Sequence, residues 1–223
     1  MRALIRHIVQ VTYKPLLERY LSRTRVYTHS GTRLLIPADV FHPGFFFSSR
    51  LLLNYVSRLS LTGKRFLELG AGSGLIAMKA AQKSAFVTAS DINPVAIEFL
   101  ELNSRKNQAE IRIIQSDLFR AIPPDAFDVI VINPPYYMRN PRTYRDYAWC
   151  CGEHGEYFER LFREMKHYVH DGSEIYMVLF ERADLELIEN LAIQNGFGFT
   201  CVHTSQNMLE KNFIFKIYKE RDV

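Results

Sequence analysis

The chain has only three cysteines, Cys150, Cys151 and Cys201, in 223 residues. An adjacent pair and one distant thiol give neither a metal-ligand spacing nor an even disulfide framework, so no metal site is expected. Reduced thiols in a cytoplasmic protein fit this usage. Long apolar runs are also missing. No stretch approaches the length of a membrane-spanning helix, and Arg6 and His7 interrupt the apolar start of the chain, which speaks against a signal peptide. Neither sign of charge dominates: 28 Lys and Arg against 24 Asp and Glu leave a net +4. That balance admits a nucleic-acid partner without requiring one. Repeats and low-complexity tracts are absent too.

What is present is a chain long enough for one large domain, with 48% apolar residues. From about residue 65 apolar strand-like runs alternate with helical patterns. Strands are expected at 65–69, 86–90, 111–115, 128–132 and 174–180, and helices at 75–84, 94–107, 157–168 and 184–195. Such alternation predicts an α/β fold with a mostly parallel sheet and helices on both faces. The end breaks the rhythm. Runs at 197–204 and 213–219 have no helix between them and must pair antiparallel. At the start, Leu4, Ile5, Ile8, Val9, Leu16, Leu17, Tyr20 and Leu21 have helical spacing. Runs at 25–27 and 33–36 flank His29-Ser30-Gly31-Thr32 and predict a small hairpin, expected over the C-terminal edge of the sheet. Residues 1–48 thus read as an extension and 49–223 as the main domain.

Asn133-Pro134-Pro135-Tyr136 follows directly on the apolar run 127–132. Two prolines cannot continue a central strand, because they lack the N–H that a ladder needs. The strand must stop there, leaving the Asn133 side chain and the Asn133 and Pro134 carbonyls at a cleft, beside the flat faces of Pro135 and Tyr136. This set suits a planar amino group, either an amide or a nucleobase NH2. A second signal is Glu68-Leu69-Gly70-Ala71-Gly72-Ser73-Gly74, between a strand and a helix. Glycines let the backbone turn sharply and approach a ligand. The spacing is G-x-G-x-G, and Glu68 would gain nothing beside a pyrophosphate but can meet a cationic amino group. Asp91 ends the second strand, placed for ribose hydroxyls, with a helix N-cap as its alternative role. Asp117 ends the third, placed for an adenine amino group, with Ile92 and Leu118 on either side of the base.

Together, Glu68, the three glycines, Asp91, Asp117 and Asn133-Pro-Pro-Tyr136 resemble the class I S-adenosylmethionine-dependent methyltransferases that methylate amino groups. Among these the chain is most similar to the HemK/PrmC-like glutamine methyltransferases and their small-domain relatives. The likeness runs from about Leu35 to the C-terminus and includes the segment 148–156. It implies a Rossmann-like seven-stranded sheet with an antiparallel last strand. It also implies S-adenosylmethionine as cofactor, held by Glu68, Gly70, Ala71, Gly72, Gly74, Asp91, Ile92, Asp117, Leu118 and Asn133. Asn133, Pro134 and Tyr136 would act in catalysis, with Asn133, Pro135 and Tyr136 on the acceptor.

The implied acceptor is a protein glutamine side chain, with an RNA or DNA base amino group as alternative. Two further rivals are a catalytically silent cofactor-binding partner subunit and a nicotinamide dehydrogenase. The chain departs from the resemblance in two places. His42-Pro43-Gly44-Phe45-Phe46-Phe47-Ser48-Ser49 replaces an acidic Pro-x-Asp-Thr-like segment, and there is room for only one or two helices ahead of the domain. One of Phe45–Phe47 is a candidate to close over the cofactor, or else part of the core. Tyr137, Arg139, Arg142 and Arg145 are candidates for acceptor backbone or phosphate, or else a solvated loop. His154 and His167 read as structural.

Overall fold

The computed structural model describes residues 14–220, so Leu4, Ile5, Ile8 and Val9 lie outside the described residues. Helix α1 (Lys14–Leu21) leads into β1 (Arg25–His29) and β2 (Thr32–Ile36). The loop between these strands is Ser30 and Gly31, at φ 46° and 83°. Positive φ at both loop residues is what a two-residue hairpin turn needs to match the twist of its strands.

Then follow α2 (Phe47–Val56), β3 (Arg65–Leu69), α3 (Leu75–Gln82), β4 (Phe86–Asp91), α4 (Pro94–Lys106), β5 (Ile111–Gln115) and β6 (Phe127–Ile132). The chain closes with α5 (Glu156–Met165), β7 (Val169–Phe180), α6 (Leu185–Gln194), β8 (Phe197–Gln206) and β9 (Lys211–Lys219).

Strands β3 to β9 form one seven-stranded sheet in the order β5-β4-β3-β6-β7-β9-β8. The first five are parallel, and β9 is antiparallel to both β7 and β8. The expected hairpin ending is therefore present, with the last strand inserted between β7 and β8. Both faces are covered. Phe66, Val129 and Val131 face a cluster with Leu52, Ala77 and Leu100, while Leu67, Ile130 and Ile132 face another with Phe158, Leu161 and Phe162. This burial on both sides explains why β6 reads as an unbroken apolar run. Helix α5 contributes Phe158, Leu161, Phe162 and Met165, an i, i+3, i+4, i+7 stripe that is fully inside.

The strand order reverses between β3 and β6, so a crevice opens at their carboxyl ends. Two details build it. Gly74 caps α3 at φ 81°, and a Cβ there would run into the Leu100 side chain. Leu118, just past β5, is held at φ 51°, a left-handed conformation that costs a branched residue ~1–3 kcal/mol.

The small hairpin corrects the sequence reading. It does not lie over the sheet edge but against α4. Asn103 accepts from the Leu35 amide at 2.8 Å and donates to the Leu35 carbonyl at 3.0 Å, and Asn107 makes the same pair of bonds with Arg33 at 3.0 and 2.8 Å. Two asparagine amides thus substitute for a neighbouring strand, while Leu34 and Ile36 enter the core. The cover over the edge is instead the following segment, 39–49. Its Asp39 carbonyl accepts from Asn93 Nδ2 at 3.0 Å.

Asn103 is fully buried and also donates to the Ser73 carbonyl at 3.2 Å. Asn103→Ala should therefore lower unfolding stability by about 3 kcal/mol, because buried backbone groups on two segments lose partners. Urea denaturation of the two proteins measures this directly.

Candidate active site

The turn after β3 is held by carboxylates from two strands. Gly70, Gly72 and Gly74 have φ of 69°, 53° and 81°. A side chain at Gly70 would meet nothing within 4 Å, so this point of the turn faces open space. Asp91 Oδ2 accepts from the Gly72 amide at 2.8 Å, and its Oδ1 accepts from the Asn93 amide at 2.9 Å. The N-cap of α4 is Asn93, which accepts from Val95 at 3.0 Å, so the alternative role foreseen for Asp91 is taken by its neighbour. Glu68 Oε2 accepts from the Ala77 amide at 2.7 Å. Gly74 has no side chain to cap α3, and Glu68 supplies the missing acceptor from the adjacent strand.

Among the described residues neither acid has an ion-pair partner, and burial raises both. Burial pushes Glu68 up to about 8, against the opposing pull of the Ala77 amide and with a further push from Asp91. Burial raises Asp91 as well, countered by the amides of Asn93, Gly72 and Ile92. A cavity wall with two such acids is short of positive charge and suits a cationic ligand. Asp117 differs: Arg160 on α5 reaches its Oδ2 at 2.9 Å, and Arg160 Nε lies 3.6 Å from Glu164. Part of this carboxylate is therefore engaged before any adenine arrives. Tyr157 stands near Asp91 and Asp117, and its phenol is pushed upward by burial first and by those charges second.

Asn133 follows the end of β6, the strand beside β3. Its Nδ2 donates to Ser49 Oγ at 3.2 Å, and among the described residues the side-chain oxygen has no hydrogen-bond partner. Pro134 and Pro135 are buried behind it. The Tyr136 ring packs 5.1 Å from both Phe180 and Tyr137, and its phenol is shifted upward mainly by burial. The backbone amides of Tyr136 and Tyr137 both donate to the Trp149 carbonyl, at 3.1 and 2.8 Å. Cys150 and Cys151 lie buried at the base of this loop as free thiols, the former accepting from the Arg139 guanidinium at 3.3 Å.

One cavity brings these groups together. Glu68, Gly70, Ala71, Gly72, Asp91, Ile92, Asp117, Leu118, Asn133, Pro134, Pro135 and Tyr136 all line it, while Gly74 sits below as the cap of α3. Sequence reasoning missed Phe41, Ser48, Ser49, Tyr144, Tyr147, Trp149 and Tyr157, which line it too. The aromatic cover is Phe41, not one of Phe45–Phe47. Phe41 packs on Trp149 at 5.0 Å with Phe46 stacked behind it at 4.2 Å, whereas Phe45 turns to Tyr20 and His42. Only the chain fold brings residue 41 against residue 149, so no local pattern could reveal the pair. Among the described residues, no group of three or more His, Cys, Asp or Glu could hold a metal ion, and no helix is long and apolar enough to cross a membrane.

Comparison with known proteins follows this geometry. The family model for the methyltransferase small domain matches residues 34–208. A putative protein N5-glutamine methyltransferase of Methanocaldococcus jannaschii is 31% identical over 154 residues, covering 66% of this chain and 76% of that one. The release factor glutamine methyltransferase of Lactococcus lactis is 45% identical over 155 residues, 69% of this chain but 54% of the relative. The chain thus spans about half the length of that bacterial enzyme. Among solved structures, the Mtq2–Trm112 complex of E. cuniculi, responsible for methylation of the termination factor eRF1, superposes with a TM-score of 0.64 at 21% identity, over 82% of this chain and 99% of that chain. The T. thermophilus 16S rRNA N2 G1207 methyltransferase, solved with AdoMet and guanosine, gives 0.62 at 19%, over 89% and 50%. At these identities the structures establish a shared fold.

The Glu68 shift has a testable sign. Its proton is held more tightly in the folded than in the unfolded chain, so the ligand-free protein loses stability as pH rises from about 5 to about 8. Glu68→Gln keeps an oxygen for the Ala77 amide and cannot ionise. Its melting temperature should exceed that of the wild type at pH 8, with the difference shrinking toward pH 5. Thermal melts at three pH values check this.

Proposed function

We propose that this chain, which belongs to the methyltransferase small-domain family, transfers a methyl group from S-adenosylmethionine to the planar amino nitrogen of a protein glutamine side chain. The observation that carries the reading is Asn133, presented at the switch-point crevice with its Nδ2 occupied by Ser49 and its oxygen free, in one cavity with the buried Glu68 and half-buried Asp91, which have no ion-pair partner among the described residues.

The acids suit the cofactor. Glu68 answers its ammonium group, Asp91 its ribose hydroxyls and Asp117 its adenine amino group, with Ile92 and Leu118 beside the base. Gly70, Ala71 and Gly72 let the backbone come close. When bound, the cofactor supplies an electrophilic methyl carbon on a sulfonium, so the protein needs little acid–base chemistry.

Asn133 Oδ1 and the Pro134 carbonyl accept the two N–H groups of the acceptor, fix its plane and favour pyramidalisation at nitrogen. Pro135 and Tyr136 pack on that plane. Tyr136 is no candidate base, because burial holds its phenol protonated. No base is needed before transfer, since the nitrogen loses its proton readily once it carries the extra methyl. Alignment of two bound reactants supplies about 7–11 kcal/mol, which lets positioning carry most of the rate. In this reading residues 49–223 are the transfer unit, and residues 1–48 are an extension whose last ten residues cover the crevice.

A second acceptor reading has its own observation. Tyr137, Tyr144 and Tyr147 are 50%, 52% and 40% exposed on the loop that also carries Arg139, Arg142 and Arg145. Flat rings alternating with guanidinium groups suit a base and its phosphates.

The experiment combines both acceptors with one variant. Purified release factor and bulk ribosomal and transfer RNA are each incubated with labelled S-adenosylmethionine. Label on a release-factor glutamine is the expected outcome, label confined to RNA would replace it with the base reading, and cofactor binding without transfer to either would point to a silent partner subunit. Asn133→Ala should lower turnover by roughly 10²–10³, with a far smaller loss of S-adenosylhomocysteine affinity. Near-normal turnover in that variant would overturn the site.

A further inference from the structure

We propose that Ser49 is a positioning residue for methyl transfer, whose hydroxyl accepts from Asn133 Nδ2 and so anchors the amide with its oxygen toward the acceptor. This rests on Asn133 being the group that receives the acceptor N–H. An asparagine amide has a donor end and an acceptor end of nearly equal size. Turned by half a rotation, Asn133 would place Nδ2 toward the incoming NH2, donor against donor, and the alignment of the nitrogen would be lost.

The anchor comes from 84 residues away. Asn133 Nδ2 donates to Ser49 Oγ at 3.2 Å. That hydroxyl is inside the site rather than on the surface: Ser49 is 6% exposed and lines the same cavity as Asn133 and Glu68. It is also held firmly. Ser49 lies in the first turn of α2, whose Leu51, Leu52, Leu53 and Val56 are all buried, which fixes the roll of the helix against the sheet. The N-cap position is Phe46, which offers no side-chain cap. A serine near a helix start commonly serves the helix; this one is turned to the end of β6 instead.

The expected effect is intermediate. Ser49→Ala removes the acceptor for Nδ2 but leaves the Asn133 oxygen available for part of the time, so turnover should fall by about threefold to tenfold, the scale of one neutral hydrogen bond. The loss falls on kcat, with S-adenosylhomocysteine affinity unchanged, and Ser49→Thr, which retains a hydroxyl at that point, should recover most of it.

The decisive form is a double-mutant cycle on release-factor methylation, read together with the side-chain NH2 resonance of Asn133 in a nitrogen-15 spectrum, identified by its absence in Asn133→Ala. Two results support the proposal: Ser49→Ala shifts the Asn133 amide resonance, and the substitution has no further effect on turnover in the Asn133→Ala background. A fall of equal size in both backgrounds, an unmoved resonance or normal turnover in Ser49→Ala would each overturn it. If Asn133→Ala itself turns over normally, the assignment of Asn133 fails first. The amide resonance still reports whether Ser49 holds the side chain, with no acceptor present. Retained S-adenosylhomocysteine binding in each variant shows that the fold is intact.

Discussion

Two carboxylates spent on backbone amides hold this cleft together. Asp91 ties the glycine turn to the loop that starts α4, and Glu68 caps α3 from the neighbouring strand, so strand, turn and two helix starts share one pair of acids. These bonds fix the turn, while burial raises both acids, Glu68 to about 8, with no ion-pair partner beside them among the described residues. A protein that kept these acids for architecture alone would carry that penalty with no return. A cationic ligand converts it into affinity.

The end of β6 offers different chemistry, which the proposed reading assigns to the acceptor. Asn133 and the two prolines present acceptors where a central strand must stop, and the loop from Tyr137 to Cys151 is folded back on Trp149 to keep them exposed to the cavity. In the proposed reading, electrostatic complementarity serves the cofactor and hydrogen-bond geometry the acceptor. Two distant segments close the space between them, 39–49 through Phe41 and Ser49, and the later loop through Trp149.

Much of this was legible in the sequence, for identifiable reasons. The parallel sheet, its antiparallel last strand and the cleft residues from Glu68 to Tyr136 follow from alternation, turn chemistry and strand-end acids, all of which are local signals. What stayed hidden depends on contacts between distant residues. The hairpin was expected over the sheet edge because its own sequence says nothing of Asn103 and Asn107, whose side chains draw it onto α4. Arg160 reads as a helix-surface residue until the fold sets it against Asp117. Residues 42–49 stood out as a departure from the HemK-like pattern, and their contribution, the Ser49 hydroxyl bonded to Asn133, became visible only in three dimensions.

The most direct measurement is of the proton, because the account makes Glu68 a neutral acid until a cation arrives. Calorimetric titration with S-adenosylhomocysteine at pH 7, repeated in buffers of different ionisation enthalpy, counts protons exchanged on binding. Pairing of the ligand ammonium with Glu68 predicts release of close to one proton, vanishing in Glu68→Gln. Tight binding with no proton released would contradict the account, and so would release that persists in the variant.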